Sequence, residues 1–84
     1  MYWDVVEIKP LDDLGLFVQF ADGLEGEVRF SPENLTGVFT PLNDPAFFKQ
    51  VYLDHGAVAW PWQIDLAPDA MYQEIKEKGV AVLA

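Results

Sequence analysis

The residues of this chain that could carry chemistry are few and scattered. His55 is the single histidine and stands beside Asp54, with Asp65 further along. A histidine next to a carboxylate is a pairing that moves protons or supplies half of a metal site. A metal needs more ligands than this spacing offers, and the surrounding residues read as an exposed loop. A catalytic or small-ligand centre at Asp54, His55 and Asp65 is therefore an alternative reading, and it requires a pocket on which the three converge. Ser31 is the only serine and is followed by Pro32, so it is read as a helix cap rather than a nucleophile. Glu25 and Glu27 would lie about 7 Å apart on one strand face, within the spacing that glycosidases use. Exposed strands carry such pairs routinely, and we read these as solvated. Gly15, Gly23 and Gly26 fall at turn and strand positions rather than at a strand-to-helix junction, so no phosphate-cradling loop is read. The absence of cysteine removes thiol catalysis, iron–sulfur ligation and thiolate zinc sites. No catalytic residue, cofactor or metal is assigned, and an enzyme is not expected.

The elements that must position these residues belong to one domain. A chain of 84 residues is too short for two independent cores. At 51% hydrophobic and 14% aromatic, it has the large side chains that a small core without disulfides requires. Fourteen acidic residues against five basic ones give a formal charge of −9. Nucleic-acid binding draws on clustered Lys and Arg, so none is expected from this domain alone. The same charge would steer the chain toward a basic partner. No signal peptide or membrane span is read, and the cytoplasm is the expected compartment.

Residues 2–9 read as a first strand that stops at Pro10, with a turn through Asp12 and Asp13. Leu14, Leu16, Val18 and Phe20, then Leu24, Gly26, Val28 and Phe30, alternate with other residues as two half-buried antiparallel strands. A two-residue Asp22-Gly23 loop would throw their apolar rows onto opposite faces. A three-residue loop, Ala21 to Gly23, pairs Phe20 with Leu24 and Val18 with Gly26, so Gly23 should have positive φ and Gln19 should lie beside Glu25. Ser31-Pro32 and Asp44-Pro45 each read as a cap followed by a first helical residue, the first short turn ending at Gly37. Val51-Tyr52-Leu53 and Ala57 to Trp60 read as a second hairpin, with Asp54-His55-Gly56 as another three-residue loop. Apolar on both faces, that hairpin is expected to be the more central. Pro68 opens an amphipathic helix to Lys78 that Gly79 stops, with Glu74 and Lys78 as an i,i+4 pair. The apolar tail, residues 79–84, is read as docked or loose, or alternatively as a strand lent to a neighbouring subunit. The expected fold is α+β: one antiparallel sheet of about five strands, short helical turns and a C-terminal helix.

Several short stretches occur in a particular order: Leu16 to Gly23, Phe39-Thr40-Pro41-Leu42, Phe48-Lys49-Gln50-Val51, Val58-Ala59-Trp60-Pro61, and Asp65 to Pro68 with Tyr72. In that order they resemble the bacterial domain-of-unknown-function family 2442 over about residues 2–78. The resemblance implies a small α+β domain with an antiparallel sheet, a bacterial source and no assigned catalytic residue. It also implies pairing with another small protein, similar to a toxin–antitoxin module. Relatives that continue into a helix-turn-helix segment would bind DNA; no such segment is read in residues 1–84, so DNA binding is not expected to carry over. Members commonly carry Asn-Gly after the Trp-Pro pair, where this chain has Trp62-Gln63. A bulky aromatic thus stands in place of a tight turn, and the local loop is not expected to be shared.

Trp62, beyond Trp60 and Pro61, is read as projecting from the sheet's edge, where tryptophan is a common interface anchor. Phe17 falls on the polar face of the first hairpin beside Glu27, so the C-terminal helix, the first strand or another molecule must cover it. Phe17, Glu25, Glu27 and Trp62 are accordingly the candidate partner-binding residues of a protein-interaction domain. A self-associating structural unit, such as a homodimer, is the rival reading.

Overall fold

The alternation over residues 14–30 becomes the hairpin that the register argument requires. In the computed structural model, which describes residues 1–12 and 14–83, β2 (Gly15–Phe20) and β3 (Glu25–Phe30) pair with Val18 opposite Gly26, Gln19 opposite Glu25 and Phe17 opposite Glu27. Gly23 has φ 94°, its N–H donates to the Phe20 carbonyl, and the Phe20 N–H donates to Leu24. That positive φ is available to glycine without the Cβ clash that other residues suffer. Leu16, Val18, Phe20, Val28 and Phe30 consequently share one buried face.

The first strand differs from its reading. β1 spans Val5–Leu11 and includes Pro10, pairing antiparallel with β2 through an irregularity between Val5 and Glu7. Proline is tolerated there because β1 is an edge strand whose outer N–H groups need no partner. Asp12 sits in the turn, and the part of that reading which concerns Asp13 falls outside the described residues.

The single five-stranded sheet is corrected to two. One has four strands in the order β1-β2-β3-β7 and is mixed, since β7 (Val80–Leu83) runs parallel to β3. Residues 80–83 of the tail therefore dock on their own sheet. The other is antiparallel, β4-β5-β6, with β4 Tyr52–Asp54, β5 Ala57–Trp60 and β6 Ile64–Leu66. The second hairpin turns through two residues, because Asp54 pairs with Ala57. His55 at φ 50° and Gly56 at φ 84° form the mirror-image turn that matches strand twist. A strand pair apolar on both faces gives no alternation to fix its register, so the earlier pattern could not be carried over. Nor is this hairpin central throughout: β5 is buried, whereas Tyr52, Leu53 and Asp54 of the edge strand β4 are exposed.

Short helical segments connect the first hairpin to the second sheet. A single 3₁₀ turn, Pro32–Asn34, follows Ser31, whose hydroxyl donates to Glu33 instead of capping. Gly37 begins a second 3₁₀ segment, Gly37–Asn43, rather than ending the first. Asp44 caps α1 (Pro45–Phe48) by accepting from the Ala46 N–H, and both Phe47 and Phe48 are buried. The long helix α2 (Pro68–Lys78) buries Met71, Tyr72 and Ile75 and ends at Gly79 with φ 79°. Its Glu74–Lys78 pair does not form among the described ion pairs; Gln73 instead donates to Glu77. The helix comes so close to β3 that a Cβ on Gly26 would lie 2.5 Å from Ile75 Cγ2. One core results, drawing on both sheets, α1 and α2, with Trp60 fully buried against Phe30 and Phe48.

Candidate functional site

Two tryptophans separated by one proline meet opposite fates, and the loop between them builds the candidate site. Trp60 ends β5 inside the core, and its Nε1–H donates to the Phe48 carbonyl at 2.8 Å, so its polar atom is satisfied. The chain then reverses over Pro61, Trp62 and Gln63 to pair Ile64 with Trp60. Trp62 and Gln63 have φ 70° and 62°, the left-handed region that costs an ordinary L-residue about 1–2 kcal/mol. Asparagine and glycine enter that region most readily, so the backbone keeps a tight turn despite the bulky residue.

This backbone turns the Trp62 indole outward. It is 76% exposed and rests on Phe47 with ring centres 5.0 Å apart. Beside it the 3₁₀ segment brings Val38, 72% exposed, and Pro41. Gly37, Val38, Pro41, Trp62, Gln63 and Ile64 line a shallow recess of about 450 Å³. Its named walls carry no ionisable side chain. Sequence reasoning found Trp62 but missed Val38 and Pro41, because a 3₁₀ run has no hydrophobic periodicity to announce it.

The other predicted partner-binding residues lie on a different surface. Phe17, Glu25 and Glu27 share the outer face of the four-stranded sheet, where Phe17 pairs with Lys9 on one side and Glu27 on the other. Phe17 is half-buried, and α2 lies against the opposite face, on the side of Gly26 and Ile75. Glu27 is held by Arg29, whose two guanidinium donors reach its Oε1 at 2.8 and 3.2 Å. Arg29 also donates to the Asp12 carbonyl. Trp62 lies in the β5–β6 turn of the other sheet, and its aromatic neighbour is Phe47.

The Asp54, His55 and Asp65 alternative is not assembled. His55 Nδ1 lies 2.9 Å from Asp54 Oδ1 in the exposed β4–β5 turn, while Asp65 pairs with Ala59 on the far side of β5. Among the described residues no three His, Cys, Asp or Glu side chains gather as metal ligands. A concavity of about 780 Å³ is lined by Leu11, Leu14, Pro32, Pro45 and Phe48 with Asp12, Asn43 and Lys49 at its polar positions. It includes none of the three.

One polar contact was invisible in the sequence. The Tyr72 hydroxyl donates to Asp22 Oδ2 while the Leu24 N–H donates to Oδ1, so one carboxylate ties the β2–β3 turn to α2. The Tyr72 donor, then the Leu24 N–H, hold the Asp22 carboxyl below its ordinary range. The same contact pushes the Tyr72 phenol up to about 12. This pair fastens the turn, and nothing about it points to a ligand.

The chain belongs to a family of proteins of unknown function, DUF2442, whose model matches residues 5–77. No curated protein and no solved structure matches it. No helix among the described residues is long and apolar enough to cross a membrane.

Proposed function

We propose that this chain is a protein-binding module whose anchor is the Trp62 and Val38 patch and whose partner is basic. The observation that carries this reading is Trp62 itself, held largely out of the core on a left-handed backbone beside a second exposed apolar residue. Water gains nothing from that arrangement, whereas a partner's pocket would bury an indole and a valine together. The net charge of −9 favours a cationic counterpart by steering its approach. Pairing with another small protein in a two-component bacterial arrangement, as in toxin–antitoxin modules, suits such a surface. An enzymatic role has less support, since Asp65 lies apart from the Asp54–His55 pair.

The test is quantitative capture from the host's lysate with wild-type and Val38→Asp baits. Val38 is on the surface, so the substitution should leave the fold intact and remove the specifically captured basic protein. Equal capture by both baits would move the interface away from this patch. Glu25→Gln/Glu27→Gln is expected to slow association rather than abolish it, because these carboxylates lie outside the recess.

A further inference from the structure

The two edges of the four-stranded sheet are unlike each other. β1 carries Pro10, Lys9 and a register irregularity, all devices that stop another strand from adding. β7 carries none: it reads Val80-Ala81-Val82-Leu83, with no charge and no proline. Among the described residues nothing pairs with its outer edge. Its register with β3 places Val80 beside Glu27 and Val82 beside Arg29 on the outer face, with Val82 60% exposed, and Ala81 beside Val28 in the core.

We propose that this edge is where a second copy of the chain adds its own β7, antiparallel across a two-fold axis, to make one continuous sheet. Facing residues in an antiparallel pair lie on the same side, so both cores stay on one side in registers that pair outward residues with outward ones, such as the register that matches Val80 with Val82 and Ala81 with Ala81. The strand is self-complementary in that register. Valine meets valine on the outer face, alanine meets alanine on the inner, and no like charges are opposed. Each valine pair is flanked by Arg29 of one copy and Glu27 of the other, charges of opposite sign. In a chain of net charge −9, this neutral edge is where two copies approach at least electrostatic cost. A short strand pair buries less than the roughly 1,200 Å² of a standard interface, so the dimer forms at micromolar concentration or above. Salt, by screening the repulsion between two acidic bodies, strengthens it. Salt weakens the capture of a basic partner at Trp62, so the two interactions are separable.

Sedimentation equilibrium over a concentration series tests this with the full chain, Val82→Lys, and Val6→Lys as a matched change on the opposite edge. The wild type should approach twice its 9.5 kDa mass, more readily at high salt. Val82→Lys should weaken association at least tenfold, and Val6→Lys should leave it unchanged. Should Val82→Lys disturb folding, amide exchange in wild-type β7 gives a second readout, slowing as concentration rises. A monomer at every concentration overturns the proposal, whether the edge stays free or takes a strand from another protein. Equal weakening by the two lysines overturns it as well.

Discussion

Trp60 and Trp62 share a side chain and almost a position, and burial alone separates their roles. Truncating fully buried Trp60 leaves a cavity and the Phe48 carbonyl without its donor, so Trp60→Ala should cost about 3–5 kcal/mol in urea unfolding. The Asp22–Tyr72 contact makes a different prediction, in pH. The Asp22 carboxyl is depressed in the folded state, so its contribution is complete above the ordinary carboxyl value of 3.8 and is lost as pH falls through the lower folded value. The Tyr72 phenol is raised, so its contribution holds below 10.0 and is lost as pH rises through about 12. Tyr72→Phe should therefore lower stability at neutral pH and flatten both the acid and the alkaline limbs of a melting-temperature profile. Identical profiles for variant and wild type would show that the contact contributes nothing. Neither partner was foreseeable, since they lie fifty residues apart and only the packing of α2 joins them.

At the scale of elements, the loop after Trp60 stores strain that its sequence does not relieve. Trp62→Asn/Gln63→Gly places residues that accept positive φ where the backbone already has it, and should stabilise the fold by about 1 kcal/mol. An unchanged denaturation midpoint would mean that the left-handed conformations cost little there. Gly26→Ala should have the opposite effect, costing about 1–3 kcal/mol by driving a methyl into Ile75. The first hairpin was legible in the sequence because its alternation allows one register only. The caps at Asp44 and Gly79 were legible because each is local chemistry. β7 and the 3₁₀ run at Gly37–Asn43 were not. A short apolar tail fits many sheet edges until β3 is seen to be free beside it, and proline and glycine inside a 3₁₀ segment read as loop. The same limit hid Val38, half of the exposed patch.

At the scale of the molecule, charge sorts the surfaces. Fourteen acidic groups should repel a second copy, and among the exposed apolar residues of the described fold are those of the Trp62 recess and of β7. The two should respond oppositely to ionic strength, capture of a basic partner falling and self-association rising. Membership in DUF2442 fixes the lineage. The most direct test is Trp62→Ala, measured for urea-induced unfolding and, in the same preparation, for capture of the host protein that wild type retains. The account predicts an unfolding free energy within about 0.5 kcal/mol of wild type together with loss of that capture. A loss of stability near that of Trp60→Ala, with capture undiminished, would contradict it.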